Sequence, residues 1–201
     1  MKYEKNTQNK VRRMAVLALL TALVVVLQLI GTVITIGSTP ISLTLVPIVI
    51  GAVLLGPGAG AFLGAVFGIV VLAGGFSGRD WFTAMLLNLD MFWTIMGVML
   101  KGIGCGAAAG FISKALKEHT TLGCILAAIS APIVNTGVFA LVMLTVLRPG
   151  LESFSAQIGG SNAVQVLFLV LIGVNFLIEL AVNAALSAAI ARIVRAVMKS
   201  N

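Results

Sequence analysis

The sequence predicts an all-α integral membrane protein: one domain, residues 1–201, folded as a bundle of six transmembrane helices with both termini in the cytoplasm. Composition is the first reason. Apolar residues make up 60% of the chain and charged residues 9%, whereas about a quarter of a soluble domain is charged. A soluble core of 201 residues has too little interior to hide that much apolar surface, while lipid lets it face outward. The second reason is where the positive charge lies. The net charge is +7, but the basic residues are not spread over a surface as nucleic-acid binding would need. Lys2, Lys5, Lys10, Arg12 and Arg13 lie at the start, Lys114 and Lys117 form a second cluster, and Arg192, Arg195 and Lys199 a third. Such clusters mark the cytoplasmic ends of membrane helices. The third reason is six apolar stretches, each long enough or nearly long enough to cross about 30 Å of hydrocarbon.

In chain order, residues 1–10 read as a basic cytoplasmic tail and about 11–33 as the first span. A basic start before an apolar run also fits a secretory signal. No small-residue cleavage site follows this run, so a retained first helix is expected. The second span, about 42–55, is short, which implies local tilt or thinning of the bilayer. Gly56-Pro57-Gly58 separates it from the third, about 58–73. Proline and glycine end a helix and allow a tight reversal, so these two form a helical hairpin. The remaining spans cover about 92–116, 122–147 and 163–197. Six crossings put both termini and all three basic clusters on one side. Ten Lys or Arg lie there, against Arg79 and Arg148 on the other, and that asymmetry makes the basic side cytoplasmic. The far-side connections, 31–41, 74–91 and 148–162, are long and rich in Gly, Ser and Thr. They are candidates for a lid over a site, or plain connections.

Small residues recur at helical spacing in two places. Ala15, Ala18 and Ala22 lie on the first span, and Gly60, Gly64 and Gly68 on the third. Such ridges let helix backbones approach closely. The glycines read as internal packing; the alanines fit either the bundle interior or a partner subunit in the membrane. Cys105 and Cys124 sit among Gly and Ala and read as small packing residues. His119, beside Lys117 and Glu118, reads as solvated.

Charges within hydrocarbon cost several kcal/mol and are usually paired or functional. Lys101 lies 13 residues before Lys114, and Glu179 lies 13 residues before Arg192. At 1.5 Å per residue both are about 20 Å from the cytoplasmic boundary. The fifth span runs the other way, and Asn135, 14 residues after Thr121, reaches the same level. Asn175 and Asn183 flank Glu179 by one turn each, on its face. Asn88 and Asp90 precede the fourth span nearer the outer mouth, with Trp93 just beyond. Lys101, Asn135, Asn175 and Glu179 therefore form a polar layer open toward the long connections. The layer reads as a pocket for a small polar solute; a Lys101–Glu179 pair that only fixes packing is the plainer alternative.

No catalytic constellation is present. There is no Ser/His/Asp set, metal spacing or GxxxxGK[ST] phosphate loop, so the chain is not read as an enzyme, calls for no cofactor, and cannot hydrolyse ATP alone. Uphill movement of a solute would need a partner or an ion gradient.

The chain resembles the substrate-binding S components of energy-coupling factor (ECF) vitamin transporters. Four features carry the resemblance: the basic start and first helix, KVRRMAVLALLTALVVVLQL, with Ala18 and Ala22; the segment ISLTLVPIVIGAVLLGPGAGAFLGAVFGIV, with Pro47, Gly56, Pro57, Gly60 and Gly64; six helices in about 200 residues; and the last helix, GVNFLIELAVNAAL, with Asn175 and Glu179. The resemblance implies a bacterial, multi-pass cell-membrane protein that captures a vitamin from outside and docks on a transmembrane coupling (T) subunit joined to two ATPases. It assigns the alanine face, Ala15, Ala18 and Ala22, to that subunit.

Flat aromatic vitamins are usually held by stacked rings. The single tyrosine, Tyr3, lies in the tail, and Trp81 and Trp93 fit interface anchors equally well. An aliphatic, anionic, hydroxylated solute suits Lys101 and the asparagines better, and the last helix looks like that of the pantothenate-type S components. Pantothenate is the expected substrate, with Lys101 on its carboxylate and Asn135, Asn175 and Glu179 on its hydroxyl and amide groups; Asn88, Asp90 and Trp93 complete the candidate set. The competing class is a stand-alone secondary carrier or channel. Carriers often show two related halves, and no internal repeat is visible here.

Overall fold

The computed structural model describes residues 2–31, 35–36, 39–40, 43–160 and 162–199, with side chains from residue 10 to residue 192 apart from 32–42, 161, 170 and 174. Much of the expected outer connection 31–41 lies outside the described residues, as do the side chains of Lys2, Tyr3, Lys5, Arg195 and Lys199.

The chain is helical almost throughout, in the order α1 Lys2–Gly31, α2 Leu45–Leu55, α3 Pro57–Phe76, α4 Trp81–Leu89, α5 Met91–Ala115, α6 Thr120–Leu144, α7 Arg148–Gln157, α8 Ala163–Gln165 and α9 Val174–Lys199. A 3₁₀ turn, Lys117–His119, precedes α6, and a π-helical stretch, Val166–Gly173, joins α8 to α9. Two residues of extended chain, Thr35–Ile36, pair antiparallel with Thr39–Pro40 between α1 and α2.

Five helical stretches are long and apolar enough to cross a membrane: Lys10–Gly31, Pro57–Phe76, Met91–Ala115, Lys117–Leu144 and Ala163–Arg192. The expected second span is the shorter apolar helix α2. The outer surface fits lipid. Ile69, Leu100, Phe111, Leu141, Leu169 and Leu177 are all more than half exposed, on four of these stretches, far beyond the scattered apolar exposure of a water-soluble protein.

Two of the three expected outer connections are corrected by the structure. The 74–91 connection holds the end of α3 and all of α4, and 148–162 holds α7. Local chemistry explains both. The Asp80 carboxylate accepts the Thr83 backbone N–H at 3.1 Å, a side-chain cap that starts α4. Asp90 accepts the Trp93 N–H at 3.0 Å and starts α5 in the same way. Pro149 occupies the first turn of α7, where its missing N–H costs nothing. Phe82 and Leu86 on α4, and Leu151 and Phe154 on α7, bury one apolar side of each helix.

Packing is most extensive between α3 and α5, then between α5 and α6 and between α6 and α9. Glycine makes the α3–α5 approach possible. A Cβ on Gly60 would collide with the carbonyl of Gly106, and one on Gly64 with the carbonyl of Gly102; the converse substitutions collide likewise. Gly110 lies against Pro57. A glycine ridge at 102, 106 and 110 on α5 therefore faces the ridge at 60, 64 and 68 on α3, and the two backbones touch. Gly56, between α2 and α3, has φ of 97°, a left-handed value that favours glycine.

Apolar side chains gather in two clusters. One joins α1, α2, α3, α5, α6 and α9, with Leu87 of α4, around Leu45, Ile48, Leu63 and Phe67, and includes both cysteines. The other joins α4, α7, the end of α6 and the π-helical stretch around Phe82, Met143, Leu151 and Leu167.

Candidate functional site

Between these two clusters lies a cavity of about 110 Å³ that draws on seven parts of the chain, among them the π-helical stretch through Leu171 and Ile172. Its lining contains Gln28 of α1, Phe67 of α3, Lys101 of α5, Asn135, Thr136 and Phe139 of α6, and Asn175, Phe176 and Glu179 of α9. Asp80, Phe82 and Thr83, where α4 begins, line it as well. Lys101, Asn135, Asn175 and Glu179, placed at one level by counting along the helices, thus line one cavity.

The glycine ridge explains the position of Lys101. Gly102 is pinned to Gly64, which fixes the depth and rotation of α5, and the next residue back lines the cavity. The Lys101 ammonium lies 5.7 Å from the centre of the Phe67 ring and 5.5 Å from that of Phe139, within the range of cation–π attraction. Negative charge comes from Glu179 and Asp80, both more than nine-tenths buried. Asp80 is engaged locally: besides the cap to Thr83, its second carboxylate oxygen accepts the Thr83 hydroxyl at 2.6 Å.

Neutral polar groups complete the lining. Asn135 is 7% exposed, and its side-chain oxygen has no hydrogen-bond partner among the described residues. A buried acceptor left so costs about 1–3 kcal/mol, which a bound donor would recover. Gln28 is oriented by Thr44, whose hydroxyl donates to its side-chain oxygen at 2.9 Å. Pro132 deprives α6 of one backbone donor a turn before Asn135. Asn183 donates to the Glu179 carbonyl at 2.8 Å and does not line the cavity.

Lys101, Phe82, Thr83 and Phe139 also line a smaller neighbouring cavity, whose remaining walls include Leu86, Val98, Val142 and Met143. The polar chamber therefore has an apolar annex beside the lysine.

The structure does not bring Asn88, Asp90 and Trp93 to the cavity lining. The Asn88 amide donates to the Ala84 carbonyl within its own helix, Asp90 is spent as the α5 cap, and Trp93 is 42% exposed beside Phe92. The reasoning from residue types missed Gln28, Asp80, Thr83 and four phenylalanines, Phe67, Phe82, Phe139 and Phe176. Gln28 carried a signal, a lone amide in an apolar run. The phenylalanines carried none, since a phenylalanine in a membrane helix is ordinary.

On α1, Ala15, Ala18 and Ala22 are exposed, together with Val11, Met14, Leu19, Leu23 and Val26. Leu20, Val24 and Gln28 occupy the inward side. The alanine face thus points out of the bundle.

A family model described as ECF transporter, substrate-specific component, matches residues 12–191. The chain belongs to that family. No curated protein and no solved structure matches it. S components are the substrate-binding parts of transporters and not enzymes, and membership implies a small-molecule substrate and partnership with coupling and ATPase subunits. Family and surface together make this a multi-pass membrane protein.

Proposed function

We propose that the chain is the high-affinity capture subunit of an ECF-type importer in a bacterial cell membrane. Residues 1–201 act as one membrane domain of six crossings, α2 being the short one, with both termini in the cytoplasm. The exposed Lys114 and Lys117 at the α5–α6 turn support that orientation, because basic residues concentrate at cytoplasmic ends. The transmembrane T subunit and two ATPases supply the energy.

One observation carries the capture role: a cavity within the bundle where Lys101, Asn135, Asn175 and Glu179 converge. Burying so many polar groups in a membrane protein is costly, and a polar ligand offsets that cost. Pantothenate fits the groups present. Lys101 meets its carboxylate, Asn135 and Asn175 exchange hydrogen bonds with its amide, and Glu179 accepts from a hydroxyl. Asn88, Asp90 and Trp93 lie farther out, along its route of arrival. Radiolabelled pantothenate should bind the purified protein saturably at micromolar concentration or below. Absence of saturable binding would overturn the substrate assignment.

A second reading rests on the phenylalanines. Four of them line the cavity, so a flat aromatic vitamin has rings to stack on without any tyrosine or tryptophan. Competition by such vitamins against pantothenate separates the two.

The alanine face is the surface for the T subunit. Its small side chains let a partner helix approach closely. Replacing Ala18 and Ala22 together with tryptophan should reduce co-purification of the T subunit at least tenfold while substrate binding stays within about twofold, since both positions are outside the bundle. Unchanged co-purification would remove the partner role from this face.

A further inference from the structure

A second cavity, of about 320 Å³, lies at the basic end of the bundle and shares no lining residue with the polar chamber. The last turn of α2 and the start of α3, from Ala52 to Pro57, form one side. Ser113, Lys114, Lys117 and Thr120 form the other. The notch is held open by the same contact that joins α3 to α5, for Gly110 sits directly on Pro57. A third cation approaches its rim: the Arg13 guanidinium donates to the Leu55 carbonyl at 3.0 Å.

The two sides differ in chemistry. Lys114 and Lys117 are exposed, and Ser113 and Thr120 add hydroxyl donors. Against them stand Ala52, Val53, Leu54, Leu55 and Pro57, which offer an anion nothing. Glu118 is the acidic neighbour, exposed beside Lys117. A ligand that satisfies both sides has an anionic group joined to an apolar body. Lysine is a good phosphate partner, and basic pockets between transmembrane helices hold the head groups of anionic lipids. Helix ends are also the depth at which those head groups lie.

We propose that this cavity binds the phosphate and glycerol region of an anionic phospholipid, with Lys114 and Lys117 on the phosphate and the α2–α3 turn against the glycerol and upper acyl chain. The site is independent of the capture reading. A free phosphate shares the anion chemistry but leaves the apolar side unused.

The test uses the purified full chain, with synthetic phosphatidylglycerol or phosphatidylcholine added in detergent and bound lipid counted by native mass spectrometry. The wild type should retain one phosphatidylglycerol at least tenfold in preference to phosphatidylcholine. Lys114→Gln with Lys117→Gln should lose that preference with an unchanged unfolding midpoint. Ser113→Phe, which fills the notch and keeps its charges, should lose retention as well, which separates a cavity from mere surface charge. Millimolar inorganic phosphate should not displace the lipid. Equal retention of the two lipids, full retention by the lysine variant, or displacement by phosphate would each overturn the proposal.

Discussion

Gly64→Val should all but abolish the stable fold. The substituted Cβ would occupy the position of the Gly102 carbonyl, and backbone cannot swing aside as a long side chain can. Overpacking a core costs about 1–3 kcal/mol where side chains can adjust, and this contact has no side chain to adjust on either helix. The expected loss is at least about 3 kcal/mol, among the large values for single substitutions. A lower unfolding midpoint in detergent, or loss of monodisperse protein, reports it. Gly64→Ala should be only partly milder, because the first added carbon makes the clash. Phe62→Val, on the same helix but 49% exposed, serves as the control and should shift the midpoint little. An unshifted midpoint for Gly64→Val would mean that the α3–α5 backbones are not in contact. The glycine ridge also sets the rotation of α5, so any folded fraction of the Gly64 variant should bind substrate poorly.

The helical bundle was legible because its signals are long. A lipid-facing helix repeats its apolar character over about 20 residues, and glycine at four-residue spacing states its own packing role. Counting along the helices placed Lys101, Asn135, Asn175 and Glu179 together because the rise per residue is constant and the basic clusters at one end of the bundle gave a zero point. Short elements defeated the same reasoning. Helix α4 has nine residues and depends on the Asp80 cap and on burying Phe82 and Leu86, a pattern too brief to stand out from a Gly- and Ser-rich connection. Missing α4 meant missing the wall of the site it carries, with Asp80, Phe82 and Thr83. The opposing ridge at Gly102, Gly106 and Gly110 was overlooked for another reason: a ridge shows that a helix is approached closely, and only the fold shows by which partner.

The reading of the cavity stands or falls with Lys101. Its ammonium is the cavity's positive charge, held between the Phe67 and Phe139 rings, with Glu179 and Asp80 as the acidic side chains in the lining. Lysine placed only to neutralise Glu179 would matter for packing and little for any particular ligand. A lysine that meets a substrate carboxylate would make a charge-assisted bond away from bulk water, where removing one partner costs about 2–5 kcal/mol. At 1.4 kcal/mol per tenfold, Lys101→Gln should weaken pantothenate binding by about 100-fold. Pantothenol, in which an alcohol replaces the carboxylate, decides between the two roles. For the ligand-binding role the wild type should bind pantothenol about 100-fold more weakly than pantothenate, and Lys101→Gln should bind both about equally, because the charge pair is already lost. For the packing role the two ligands should lose affinity by the same factor on substitution. The unfolding midpoint of ligand-free Lys101→Gln supplies the remaining control. A large drop there, with parallel loss of both ligands, would return Lys101 to structure and leave the asparagines to define the site.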